Sequence, residues 1–180
     1  MILLTSELLL KQIKEFEGCR LEAYQDAAGV WTIGYGHTHG VKKGDVSTEY
    51  YAEEMLKKDI EAAERQVLKL GVCKYQAQLD ALTDFVFNLG IGKLMASTLL
   101  AVIKAKLPRD VVVREFRKWI YAGGVKQPGL VKRRRWESLR YFEPSDTVEE
   151  ARQAQLIDLK QKEREEQAIL DSLDEKPLRG

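Results

Sequence analysis

The chain has 180 residues, enough for one well-buried core with room for an appendage. Its 44% hydrophobic and 32% charged content is ordinary for a soluble globular protein, and no stretch approaches the length of a membrane span. The net charge of +1 hides an asymmetry: residues 143–180 carry eleven acidic and six basic side chains, leaving 1–142 with seventeen acidic and twenty-three basic. A body of +6 suits a polyanionic target such as a bacterial wall or a nucleic acid, and charge does not choose between them.

The N-terminal run MILLTSELLLK is interrupted at Glu7 and has no basic segment before it, so it has neither the length of a membrane span nor the layout of a cleaved signal. This predicts a chain made and held in the cytoplasm. Cys19 and Cys73, without a secretion signal, are expected to be reduced thiols. Ser6 can cap a helix that carries Leu9, Leu10, Ile13 and Phe16 at helical spacing and stops at Gly18. Two short runs follow, 21–25 and 30–35, separated by Asp-Ala-Ala-Gly, which reads as a β-hairpin. The glycine-rich segment GYGHTHGVKKGD predicts a loop with some strand character.

A long helix is expected from Ser47 or Thr48 to Leu70, with Met55, Ala63 and Val67 on one side. Further helices are expected over 75–89, 97–106, 108–121 (proline in its first turn) and 130–142. One helix, a small sheet and then helices imply an α+β domain over 1–142 with its sheet segregated. Residues 143–180 read as a charged helical or disordered tail. Its apolar positions, such as Val148, Leu159, Ile169 and Leu173, are too sparse for a coiled coil and predict a solvated face.

The densest chemistry lies in EGCRLEAYQDAAGVWTIGYGH. Glu17 falls at the end of the first helix, Asp26 at the hairpin tip and Thr32 on the returning strand. Two carboxyls in different surroundings are what acid-assisted cleavage of a glycosidic bond requires. At a helix C-terminus, with Phe16 and Trp31 able to shield it, Glu17 is the candidate proton donor. Asp26, hydrated in its turn, is the candidate for activating a water or stabilising a positive sugar, and the Thr32 hydroxyl for holding that water. Singly, each has a plainer reading: a surface glutamate, a turn aspartate and a β-branched strand residue.

The other constellations are weaker. His37 and His39 share a strand face, but a third or fourth metal ligand is missing, so no metal is expected. Gly90-Ile-Gly-Lys93 lacks the serine or threonine of a phosphate loop. Cys19 with His37 would need an orienting third residue to act as a thiol nucleophile. The run Lys132-Arg-Arg-Arg-Trp136 points several ways on a helix, which disfavours a nucleic-acid stripe and leaves one arginine to face Glu17 or an anionic substrate.

The Glu17, Asp26 and Thr32 spacing, followed by Thr32-Ile-Gly-Tyr-Gly-His37, resembles the phage-type lysozymes, or endolysins, of glycoside hydrolase family 24. Later segments agree in order: Ala81-Leu-Thr-Asp-Phe-Val-Phe-Asn-Leu-Gly90, Ser97-Thr-Leu-Leu100, Trp119 before a Gly-Gly turn, and Pro128-Gly-Leu with the arginines. The likeness covers about residues 5–142. It implies a lysozyme-like α+β fold: a small N-terminal lobe with the hairpin, a long connecting helix, a helical C-terminal lobe and a cleft between the lobes. It implies hydrolysis, without a cofactor, of the β-1,4 bond between N-acetylmuramic acid and N-acetylglucosamine in bacterial peptidoglycan. Glu17 would be the proton donor, Asp26 the second carboxylate and Thr32 the residue positioning water, by inversion or, alternatively, by retention with Asp26 as nucleophile. Substrate contacts would fall at Thr38, Phe87 and Thr98. The expected protein is a monomer without nucleic-acid or membrane partners. It would stay in the host cytoplasm until a separate holin-like pore-forming protein releases it to the wall. A non-catalytic peptidoglycan-binding module is the alternative function.

Overall fold

The computed structural model describes residues 6–26, 28–144, 156–157 and 159–167. Ser6 caps α1 (Glu7–Glu17), its hydroxyl accepting the Leu9 N–H at 3.0 Å, and the helix buries Leu9, Leu10 and Ile13. It ends at Gly18, whose N–H returns to the Lys14 carbonyl. The chain then enters β1 (Arg20–Gln25), which pairs antiparallel with β2 (Trp31–Gly34), placing Tyr24 opposite Thr32. The loop that follows has the expected strand character. The Ser47 N–H donates to the Leu21 carbonyl and Glu22 lies opposite Val46, so the loop flanks β1 as a third edge.

The long helix is α2 (Glu49–Leu68), about 30 Å from end to end. Its buried stripe is Ala52, Leu56, Ile60, Ala63 and Val67. Met55, expected among these, is only half-buried, because the face lies one residue round the helix at Leu56. Gly34 lets the sheet close on this helix: a Cβ there would come within 3.1 Å of the Ala52 Cβ.

Six helices are expected in all, and the C-terminal lobe departs from that count. Its helices are α3 (Gln76–Leu89), α4 (Ile91–Met95), α5 (Thr98–Lys104), α6 (Arg109–Phe116) and α7 (Pro128–Arg140). A larger core holds Leu79, Leu82 and Phe85 with Leu99, Ile103, Phe116 and Tyr141; a smaller one joins Leu9, Leu10 and Ile13 to Leu56 and Ile60. Phe87 packs against both. The result is the α+β arrangement of a hairpin lobe, a connecting helix and a helical lobe.

Two expectations are corrected, and one short helix is added. The helix expected over 108–121 stops at Phe116. Gly123 and Gly124, both at positive φ, make the two-residue turn of a second hairpin, β3 (Tyr121–Ala122) with β4 (Val125–Lys126), which draws residue 121 into a strand. The discarded phosphate-loop fragment begins the short α4. Finally, the tail is not wholly solvated. Residues 156–157 and 159–167 are helical, and Ile157, 1% exposed, joins the larger core with Leu156 against it. Leu159 is exposed as expected, while Val148, Ile169 and Leu173 lie outside the described residues. The hydrophobic core therefore extends past residue 142.

Ile157→Ala is expected to lower the unfolding free energy by about 2–5 kcal/mol in urea titrations. A change of less than about 0.5 kcal/mol would mean that this side chain does not belong to the core.

Candidate active site

Glu17 stands at the end of α1 on the wall of a cavity of about 440 Å³. Tyr35 to His39 form one side of the cavity, Asp59, Ala62 and Gln66 of α2 the floor, and Val86, Phe87 and Asn88 of α3 the other side. Thr38 and Phe87, two of the expected substrate contacts, are on this wall. Thr98 is not among the lining residues. It is exposed at the start of α5.

Asp26 and Thr32 are brought together through Val30. One Asp26 oxygen, Oδ1, accepts the N–H groups of Ala28 at 2.9 Å and Val30 at 2.8 Å, so the exposed carboxylate shapes its own turn. Thr32, 4% exposed, donates its hydroxyl to the Val30 carbonyl at 3.0 Å. This pair belongs to the hairpin and does not line the Glu17 cavity.

Glu17 does not sit under the expected apolar shield. Arg133 of α7 donates from Nη1 to Glu17 Oε1 at 2.5 Å. Phe16 packs edge-on against Trp136 and lies beneath the Arg133 guanidinium. Arg133 is thus the member of the arginine run that meets the glutamate. Its other donors form a fork on Asp84, Nε to Oδ2 at 3.0 Å and Nη2 to Oδ1 at 2.8 Å. Burial opposes the Arg133 charge, but Asp84 and then Glu17 outweigh it and raise its pKa above the usual range. Arg134, fully buried, pairs with Glu137 at 2.6 Å and donates to Asn88, so two arginines of the run are structural and only Lys132 and Arg135 are exposed.

A second rung of ions lies one turn back on α3. Arg140 donates twice to Asp80 Oδ2, which also accepts the Ser6 hydroxyl, while Gln76 donates to Oδ1. Burial still pushes the Asp80 carboxyl up, against these four bonds. Asp80 and Asp84 lie on α3 among the buried Leu79, Leu82, Phe85 and Val86. Two acids one turn apart in such a stretch are themselves the signal, because buried carboxylates require partners.

Both His37 ring nitrogens face oxygens, Asp59 Oδ2 at 2.7 Å and the His39 carbonyl at 3.0 Å. His37 is thus engaged with Asp59 and the His39 carbonyl and not with Cys19. Cys19 and Cys73 are both free, and burial pushes the Cys73 thiol up to about 12. Among the described residues no group of three His, Cys, Asp or Glu side chains is suited to a metal ion. No helix among them is long and apolar enough to cross a membrane; residues 1–5, where the apolar N-terminal run begins, lie outside them.

The Phage lysozyme family model matches residues 14–137. An endolysin of Acyrthosiphon pisum secondary endosymbiont phage 1 is 42% identical over 137 residues, covering 73% of this chain and 93% of the relative. Among solved structures, the muramidase domain of SpmX from Asticaccaulis excentricus superposes with a TM-score of 0.71 at 30% identity, covering 77% of this chain and 97% of that one. An endolysin from Escherichia coli O157:H7 phage FAHEc1 gives 0.68 at 34% identity, covering 79% and 94%.

The helix that ends in Glu17 is also tied to α2, through Lys14 Nζ and Glu53 Oε2 at 2.5 Å. The Lys14 hydrogen bond, with that of Lys57, holds the Glu53 carboxyl below its usual range. A depressed carboxyl lends stability that is present above its unfolded pKa, about 4.3, and lost as the pH falls through the folded value. Glu53→Gln is expected to lower the melting temperature at pH 7 by a few degrees, for an interaction of about 1 kcal/mol. The two proteins should melt alike near pH 2, and an equal gap at both pH values would show that the ion pair is not its source.

Proposed function

We propose that this chain, which belongs to the phage lysozyme family, is an endolysin that hydrolyses the β-1,4 bonds between N-acetylmuramic acid and N-acetylglucosamine in bacterial peptidoglycan. The observation that carries the reading is Glu17 on the wall of a cavity whose volume, about 440 Å³, is that of a small-ligand site. The order of the Glu17, Asp26 and Thr32 motif supports it further, as does the placing of Thr38 and Phe87 on the same wall.

In this reading Glu17 gives its proton to the leaving glycosidic oxygen. Asp26, one oxygen held by backbone amides, keeps Oδ2 for a water that Thr32 helps to position, and the water attacks from the opposite face of the ring. The outcome is a single displacement with inversion. Thr38 and Phe87 hold the glycan, and Thr98, at the start of α5, meets it beyond the cavity. The chemistry needs no cofactor. The protein acts as a monomer, is held in the host cytoplasm, and reaches the wall from the periplasmic side once a separate pore-forming protein has opened the membrane. A wall-binding module would grip the same strand without cutting it, so new reducing ends distinguish the two.

Glu17→Gln is expected to cut the release of reducing ends from purified peptidoglycan by at least about 100-fold, with melting close to that of the unchanged protein. Wall clearing at the normal rate by Glu17→Gln would end the proton-donor assignment. The first-formed product is expected to be the α-anomer in a rapid NMR assay, and the β-anomer as first product would place the reaction in the retaining class.

A further inference from the structure

We propose that Asp84 is a positioning residue of the lytic reaction, acting on Glu17 through Arg133. The proposal rests on the reading of Glu17 as proton donor. Asp84 is fully buried, and its carboxylate takes the fork of Arg133 Nε and Nη2, which leaves Nη1 to reach Glu17. The Phe16 and Phe87 rings lie 5.1 and 5.7 Å from the same guanidinium. Arg133 is therefore fixed on three sides, and the direction of its last donor is set by Asp84.

The contact poses a chemical difficulty that Asp84 resolves. A guanidinium 2.5 Å from Glu17 sets a positive charge beside the group that must give a proton. With Asp84 opposed to it, Arg133 presents a nearly neutral pair to the cavity. The other charges at the cluster fit this division. From α7, Arg134 is matched by Glu137. Burial, opposed by Arg134, pushes the Glu137 carboxyl well above the usual range. From the loop and α2, His37 and Asp59 pair with each other on the cavity wall. From α1 and α2, Lys14 is paired with Glu53.

The test is the pH profile of kcat/KM for reducing-end release from purified peptidoglycan, with melting curves alongside. In Asp84→Asn the alkaline limb is expected to move to lower pH by at least about one unit, with kcat lost at pH 7 and recovered towards pH 5 at unchanged KM. In Asp84→Asn/Arg133→Gln, where both charges are gone, the limb is expected to return to within about half a unit of its original place. An unmoved limb in Asp84→Asn, with activity falling equally at every pH in step with the melting temperature, would mean a purely structural aspartate and would overturn the proposal. Should Asp84→Asn fail to fold, the double variant decides: a limb within about half a unit supports the charge balance, and one displaced further overturns it. Glu17→Gln serves as the control for the premise. If it remains active, the premise and the proposal fall together; if it is inactive while the Asp84→Asn limb stays put, the proposal falls alone.

Discussion

Two buried ion pairs between α3 and α7, Asp84 with Arg133 and Asp80 with Arg140, fix the helix on which the proposed chemistry stands. As α3 is followed backwards by one turn, α7 advances by two, so the rungs run antiparallel through the helical lobe. Each rung continues into α1. Asp80 accepts the hydroxyl of Ser6, which caps the start of that helix, and Arg133 donates to Glu17 at its end. An element of eleven residues, about 16 Å long, is thereby held at both termini by charges that α3 and α7 bury between them. Its apolar face, Leu9, Leu10 and Ile13, supplies adhesion to Leu56 and Ile60 but does not by itself set where Glu17 lies along the helix axis.

Buried ion pairs are weak sources of net stability, since desolvation offsets most of the attraction. Their effect is on what the structure tolerates. Losing one partner leaves a charge without compensation, at about 3–5 kcal/mol, so slipped arrangements of α1 and α7 are excluded more strongly than apolar contacts would exclude them. Asp80 shows the cost directly, because four hydrogen bonds do not fully offset the burial of its carboxyl. The same economy explains why the arginine run is no polyanion stripe. Arg133 and Arg134 are buried in ion pairs, and only Lys132 and Arg135, one turn apart, are exposed among the four basic residues.

The elements near the motif were legible because local chemistry decides them. Ser6 caps, Gly18 stops a helix, and the Asp26 turn with its flanking strand residues makes a hairpin whatever surrounds it. Non-local packing was harder to read. Met55 and Leu56 are equally apolar, and only the sheet and α1 closing on α2 decide which of them turns inward. Residues 117–121 look helical until the Gly123–Gly124 turn claims their end. Ile157, with Leu156 beside it, stands in a charged run, and its burial comes from a core built by residues far away in the chain. At the site, the triad was visible by spacing, whereas Asp84 and the choice of Arg133 depend on two helices meeting across 49 residues of sequence.

That distinction bears on what the motif encodes. Glu17 and Asp26 are nine residues apart and look like one local unit, yet they are held by different parts of the molecule. Glu17 is fixed by ions from the helical lobe, while Asp26 and Thr32 are fixed by the backbone of the hairpin, which rests on α2 through Gly34 and Ala52. The segment 18–25 joins the two, and its strand register slips between Arg20 and Tyr24. Their separation is therefore set by how α1 and the hairpin each pack on α2. A helix that carries both Ala52 under the sheet and Leu56 and Ile60 under α1 is the common reference for the two carboxyls.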